Sequence, residues 1–334
     1  MRSKVNHISW AESRAANLAN WEDRVPIHQK SYHLELFRDP HYSSDQVRDD
    51  LTVLAPYLFK YADSTSPDGN TAKKELDNTE WHNFKSVAGE STDGIAASQM
   101  LGAGHRPLAG LTVCHLQCHL GTDTVSLARA GAKLVVGVDF SSSALATARR
   151  LALYHDEPAR FVQADVMAAR AAVTTALGEF DFDLVYTSTG TIEWLADLTG
   201  WAQQIAELLK PGGIFYLNDS HPMLYVFDDN ATTIPTPAYR YFPDGTPVAC
   251  DAVQSYSGTG YLAHPRTYLW PHSISEIVNA LITAGLTIEL MSEGQTISWR
   301  YSPIMVEVAP NKYAWPGSLK QSIPVSLALI ARKV

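Results

Sequence analysis

The sequence predicts an α/β chain built on a doubly wound, mostly parallel sheet, and three observations predict it. Short apolar runs follow one another from residue 111: "LTVCHL", "KLVVGVDF", "ARFVQAD", "FDLVYTS" and "GIFYLND". Stretches of helical period lie between them, and strands alternating with helices pair in parallel through right-handed crossovers. The runs lack in/out alternation, as expected of strands covered on both faces. Two further strand-like segments, "LTIELMSE" and "PVSLALIARK", close the chain after the fifth such unit.

Each element has its own local reason. In "SSDQVRDDLTVLAPYL", Val47, Leu51, Leu54 and Leu58 form one helical stripe. The preceding "WEDRVPIHQKSYHLELF" mixes aromatics, histidines and charges, which suits a cap over a pocket. "DSTSPDGNTAKKELDNTEW" is polar and carries Pro-Asp-Gly, so residues 61 to 110 read as a loop or excursion. Ser141 is placed to N-cap a helix with Leu145, Ala148, Leu151 and Ala152 on one face. "GWAQQIAELLKPGG" shows Trp201, Ile205 and Leu208, then a Pro-Gly-Gly stop. Residues 221 to 272, rich in Pro, Tyr, Thr and Gly, read as an irregular or small β insertion. Ser273 and Glu276 have capping-box spacing, and Gly285 closes that helix. The expected organisation is an N-terminal helical cap with an extra loop over 1–110, then an α/β domain over 111–334 carrying the insertion.

With 334 residues, 46% apolar and 18% charged, the chain can bury a full core. A net charge of -9 and the absence of a long Lys/Arg run argue against nucleic acid and anionic membranes as partners. Three cysteines, no apolar leader and no membrane-length apolar run predict a soluble protein of a reducing compartment, the cytoplasm.

Cys114, His115, Cys118 and His119 crowd into "CHLQCH", where four ligands could suggest zinc. A strand over "LTVCHL" sends Cys114 and His115 to opposite faces, so no metal site is expected. The alternative is a nucleotide-cofactor loop. A strand ends near His115, a helix begins near Thr122, and Gly121 stands at the junction, where unpaired N–H groups favour an anionic group. "LVVGVDF" then ends in Asp139, a carboxylate that can accept both hydroxyls of a ribose. Asp165 closes the third strand, placed to accept from an adenine amine. Capping of the following helix is the competing role for Asp139.

Taken with "FDLVYTSTGTIEWLADLTGWAQQIAELLKPGGIFYLND", these features make the chain resemble the class I S-adenosylmethionine-dependent methyltransferases. It looks most like a subgroup whose loop reads "LQCH-x-G-x-DT"; here it is "HLQCHLGTDT". The resemblance is close over 111 to 220, looser to 334, and touches "WEDRVPIHQKS". It implies a Rossmann-like, mostly parallel seven-stranded sheet with an antiparallel last strand. His115 stands where most of that superfamily has an acid, Gln117 and His119 where it has its first two glycines, and Gly121 keeps the third. The resemblance implies that the main chain from Gln117 to Thr122, with Cys118 and His119, cradles the methionine part of S-adenosyl-L-methionine. It also implies Asp139 on the ribose, Phe140 against the adenine, Asp165 and Val166 at the adenine edge, and Ser188 near the sulfonium.

Methyl transfer needs an aligned nucleophile, and a base only where that nucleophile carries a proton. Candidate bases are His28, Tyr32 and His33 in the cap and His221 beyond the fifth strand, in "NDSHPM". Asp219 suits a turn cap. Tyr261, His264, Trp270 and His272 in the insertion are further pocket candidates. Trp194, Trp201 and Trp299 read as packing, and "FDDN" as a solvated turn. The expected acceptor is a small metabolite or natural product in a partly apolar pocket. The long N-terminal segment could close its own pocket or reach across a homodimer. Two alternatives stay open: a nicotinamide dehydrogenase, which would lack G-x-G-x-x-G here, and a non-catalytic S-adenosylmethionine-binding protein.

Overall fold

The computed structural model describes residues 2–4, 8–64 and 106–334. Most of the stretch read as an excursion between 61 and 110 lies outside them. In chain order the elements are β1 (Arg2–Lys4), α1 (Trp10–Ser31), α2 (Asp45–Ser64), β2 (Thr112–Leu116), α3 (Thr122–Arg129) and β3 (Leu134–Asp139). Next come α4 (Ser142–Ala152), β4 (Ala159–Gln163), α5 (Ala169–Leu177), β5 (Phe182–Ser188), α6 (Leu198–Leu208) and β6 (Leu209–Ser220). The chain closes with β7 (Val248–Asp251), β8 (Arg266–Leu269), α7 (Ile274–Thr283), β9 (Leu286–Gly294), β10 (Val306–Ala309), β11 (Lys312–Ala314) and β12 (Ser326–Lys333).

Seven strands form one sheet in the order β4-β3-β2-β5-β6-β12-β9. The contacts among β2 to β6 are parallel, and β12 runs antiparallel to both β6 and β9. This is the Rossmann-like class I methyltransferase arrangement that the resemblance implies. Both faces are covered. On one, Cys114, Leu116, Val136, Val138, Phe215 and Leu217 pack against α5, α6 and α7. On the other, Val113, Val135, Leu184, Tyr186 and Tyr216 meet α2 and α3. Alternate residues of one strand therefore serve two cores, which is why the strands show no apolar/polar alternation.

Local chemistry sets the boundaries. Ser141 Oγ accepts from the Ala144 amide at 3.1 Å, the expected cap of α4. Ser273 Oγ accepts from the Glu276 amide at 3.2 Å, and Gly285, at φ 85°, lies just past the end of α7. The Pro-Gly-Gly segment differs from expectation. It is absorbed into β6, and a register irregularity against β5, between Phe182 and Leu184, accommodates it. A Cβ on Gly213 would lie 2.9 Å from the Lys210 carbonyl oxygen, so the glycine lets the strand fold closely on itself.

The insertion contributes β7 and β8, which pair antiparallel, with β1 adding a third strand. α1 docks on this small sheet through polar groups. Asn17 donates to the Tyr268 carbonyl at 2.9 Å and accepts from the Tyr268 amide at 2.8 Å. Asn20 donates to the His264 carbonyl at 2.7 Å. Backbone groups on the edge of β8, and of His264 just before it, thus find side-chain partners on a helix, as buried backbone groups must.

Candidate active site

The site lies at the carboxyl ends of the parallel strands, where open α/β sheets hold ligands. Its floor is the loop between β2 and α3. Gln117, His119 and Gly121 all have left-handed φ, at 56°, 46° and 75°. The two non-glycine residues keep the backbone shape that glycines would adopt, at a cost of about 1–2 kcal/mol each. Gly121 cannot be replaced so cheaply, because a Cβ there would lie 2.5 Å from Ala148 Cβ.

Asp139 anchors this loop. Its Oδ2 accepts from the His119 amide and its Oδ1 from the Ser141 amide, both at 2.8 Å. It is the loop tie and the entrance to α4 at once. A carboxylate has about four acceptor positions, so ribose hydroxyls can share it. Burial raises its pKa to about 6, against the pull of the amides that bond it. Asp165 accepts from the Met167 amide at 2.9 Å and pairs with Arg14 of α1. Val166 beside it is buried, Phe140 half-buried. Ser188 Oγ donates to Asp123 in the first turn of α3 at 3.1 Å.

The other members of the "CHLQCH" cluster diverge. Cys114 sits in the core of one sheet face. His115 is buried, with Nδ1 2.9 Å from Thr124 Oγ1 and its ring against Tyr186. Cys118 is buried where a Cβ on Gly137 would lie 2.8 Å from its Sγ, so the missing side chain at 137 makes room for the thiol. Burial pushes the Cys118 thiol well above its ordinary pKa.

α1 forms the roof. Arg14 reaches Asp165, Glu22 takes hydroxyls from Ser142 and Ser143, and His28 meets His119. The helix therefore runs along the strand ends from β4 to β2. Trp21, Arg24 and His28 fall at i, i+3 and i+7, on one face. The Trp21 ring lies edge-on to His119 at 5.1 Å and to Trp194 at 5.4 Å. The Arg24 guanidinium lies 5.2 Å from the Trp21 centroid and 5.5 Å from Tyr256.

His28 Nδ1 is 2.9 Å from His119 Nε2, and His28 Nε2 is 2.7 Å from Ser255 Oγ. Tyr32 stacks on His28 at 4.8 Å and its hydroxyl bonds that of Tyr256. Burial, helped by His119 and Arg24, lowers His28 to about 2, and burial lowers His119 to about 3. Both rings are neutral at physiological pH; one donates and the other accepts.

The structure brings His28, Tyr32, His119 and the loop together, but not His33 or His221. His33, in the left-handed region, is exposed beside Glu35. His221 lies beyond β6 as topology predicts, yet both ring nitrogens are engaged. Nδ1 accepts from the Met223 amide at 3.0 Å, so Nε2 donates to Glu293 at 2.8 Å. Asp219 does more than cap a turn. It accepts from the amides of Gly190, Thr191 and Ile192, fixing the loop after β5. Trp194, read as packing, packs edge-on against Trp21 and donates to the Gly190 carbonyl. Reasoning from sequence missed Arg14, Trp21, Glu22 and Arg24; the W-x-x-R-x-x-x-H spacing was the available signal.

A narrow cavity of about 40 Å³ opens beside Asp219, lined by Leu217, Tyr239, Tyr241, Trp270 and His272. Among the described residues, no helix is long and apolar enough to cross a membrane.

A family described as a methyltransferase domain matches residues 114–215. Over 113 residues the chain is 39% identical to an uncharacterized methyltransferase of Synechocystis, covering 34% of this chain and 48% of the relative. Over 200 residues it is 28% identical to a ubiquinone biosynthesis O-methyltransferase of Methylobacterium, covering 54% and 75%. A protein of that same description from Ralstonia nicotianae is 35% identical over 34% of this chain and 45% of its own length. The chain thus spans about half the length of two of these curated relatives. Among solved structures, a S-adenosylmethionine dependent methyltransferase from Mesorhizobium loti is 21% identical, with 73% of this chain and 99% of that one covered and a TM-score of 0.47. Over residues 114–215, which run from β2 into β6, the chain is thus similar to a methyltransferase domain.

Proposed function

We propose that the protein is an S-adenosylmethionine-dependent methyltransferase acting on a small-molecule acceptor. The observation that carries this reading is the loop of three left-handed residues tied to Asp139, inside the segment that matches a methyltransferase domain. The residues present suit the cofactor. Gln117 Oε1 is buried without a donor, which suits a cationic group beside the loop. Asp139 and Asp165 offer carboxylates where ribose and adenine would lie, with Phe140 and Val166 as apolar neighbours. Gln117 to Thr122, including Cys118 and Gly121, would supply main-chain groups, and Ser188 would border the reacting end.

The bound cofactor would supply an electrophilic methyl group on a sulfonium. The chain's part is to hold, align and dry the reactants. Neutral His28 and His119 can accept a proton only weakly, because a base works best with a pKa near the working pH. His28 and Tyr32 therefore act chiefly by orienting the acceptor side, and positioning carries most of the rate. His221, held between Met223 and Glu293, and His33 would serve only after leaving their present partners. The cavity lined by Trp270, Tyr239 and Tyr241 is apolar but, at about 40 Å³, must widen before it could take an acceptor. Two relatives named for O-methyl transfer make oxygen the first acceptor atom to try.

In this reading residues 1–110 form the cap and 111–334 the catalytic domain with its 221–272 insertion, working in the cytoplasm with no nucleic-acid partner. A homodimer is compatible with it. The test is incubation with methyl-labelled S-adenosylmethionine and a panel of phenolic, amine and carbon acceptors, read by product mass. Label transfer to one class establishes the activity. Cofactor binding with no transfer to any class would favour the non-catalytic alternative.

A further inference from the structure

Arg24 is 6% exposed, yet no carboxylate pairs with it among the described residues. Its Nε donates to Asn20 Oδ1 at 2.7 Å. Glu193 attracts it only through space, as the last-ranked of the charges acting on it. The donors on its two Nη atoms have no acceptor among the described residues. Trp21 and Tyr256 offer aromatic faces to the guanidinium, which soften its loss of water but do not replace an anion. A buried, unpaired cation is costly, and an anionic ligand group placed beside it would offset that cost.

Gln117 presents the complementary gap. Its Nε2 donates to the Thr191 carbonyl at 3.2 Å, while its Oε1 is buried with no donor. The two residues are linked through one aromatic cluster. Trp21 carries the guanidinium on its ring and meets His119 and Trp194 by its edges. His119 is two residues from Gln117, and Trp194 Nε1 bonds the Gly190 carbonyl, next to Thr191. His115, at the end of β2, is buried and turned to Thr124, so it offers nothing to a ligand here.

We infer that Arg24 and Gln117 form a receptor for a zwitterionic α-amino acid group, Arg24 binding its carboxylate through Nη and Gln117 Oε1 accepting from its ammonium. The inference rests on the proposed function, in which that group is the aminoacyl end of the cofactor. It assigns to this chain an arrangement in which a neutral amide meets the ammonium and a helix from the cap supplies the cation.

The test is calorimetric titration with S-adenosylhomocysteine and with 5′-methylthioadenosine, which keeps the adenosine thioether but lacks the amino acid group. The wild type should bind S-adenosylhomocysteine more tightly. Arg24→Met should weaken S-adenosylhomocysteine by about tenfold to a hundredfold, the scale of a lost charge-assisted bond, and leave methylthioadenosine within about twofold. Arg24→Lys should recover part of the loss, because a point charge replaces a fork. Gln117→Gly, which keeps the left-handed backbone without strain, should weaken S-adenosylhomocysteine by about fivefold. Should Arg24→Met fail to fold, the Lys and Gly variants carry the test.

Equal loss of both ligands in these variants would make Arg24 and Gln117 scaffold residues and overturn the inference. Unchanged affinity for both would place the receptor elsewhere and overturn it too. Equal wild-type affinity for the two ligands would defeat the receptor while leaving the cofactor reading standing. Failure of the wild type to bind either would remove the cofactor reading and this inference with it.

Discussion

The two N-terminal helices bury opposite kinds of residue. α2 turns Val47, Leu51, Leu54 and Leu58 onto the sheet, and all four are buried. α1 buries Ser13, Asn17, Asn20, Arg24 and His28, with Val25 and Ile27 its only buried aliphatics. α2 is held by apolar area, which is non-directional and strong. α1 is held by hydrogen bonds and ion pairs to β8, to the strand ends and to the insertion, each worth little net. A helix docked this way depends on the geometry of each bond, and its inner face is polar. α2 builds the fold; α1 builds the roof of the site.

The largest expected effect lies on the apolar side of this comparison. Leu54 is fully buried, so Leu54→Ala should cost roughly 2–5 kcal/mol of stability in a denaturant titration. Affinity of the folded fraction for S-adenosylhomocysteine should stay near wild type. A loss below about 1 kcal/mol would show that α2 is not anchored through this stripe.

The exception within α2 sharpens the contrast. Asp50 is buried, accepting from Tyr186, Tyr216, Asn218 and Gln46. Burial raises its pKa to about 6 although those bonds pull it down. The folded state therefore holds this proton more tightly than the unfolded chain. The resulting stability is full below about pH 4 and is lost as pH rises through about 6, a swing of roughly 2–3 kcal/mol. Asp50→Asn should remove that swing. Asp139 titrates near 6 as well, but it is common to both proteins and cancels in their difference. Parallel pH–stability curves for the two would contradict the assignment.

On the α1 side the effect should be smaller and local. Asn17→Ala removes both bonds to Tyr268 and should cost about 1–3 kcal/mol. Hydrogen exchange should quicken in β8 and α1 while the amides of β2, β3 and β5 stay protected. Uniformly faster exchange would mean that α1 and the sheet unfold as one unit.

The same contrast explains what could be read in the sequence. The apolar runs gave the strands, and Ser141, Ser273 and Gly285 punctuate helices as their side-chain chemistry requires. The floor of the site was legible because a strand–turn–helix followed by a strand–acid is local geometry; Gln117, His119, Gly121 and Asp139 sit together as that geometry demands. The roof was legible only in part. His28 and Tyr32 stand out as unusual residues in a cap, whereas the charges of "WEDR" look like a solvated face. A polar residue is read as exposed unless its partner is known, and the partners of α1 lie more than a hundred residues away: Asp165, Tyr268 and His264. His221 teaches the converse. Topology put it beyond the correct strand, but its imidazole is claimed by Glu293 at the end of β9, a pairing no local spacing reveals.

The central claim is that Asp139 and the loop it ties form an adenosyl-cofactor site. The most direct measurement is titration of S-adenosylhomocysteine into the wild type and Asp139→Ala, with NAD and zinc as controls. The account predicts binding by the wild type, at least about tenfold weaker binding by the variant, and no heat from either control. Tight binding of NAD or zinc with no response to S-adenosylhomocysteine would contradict it.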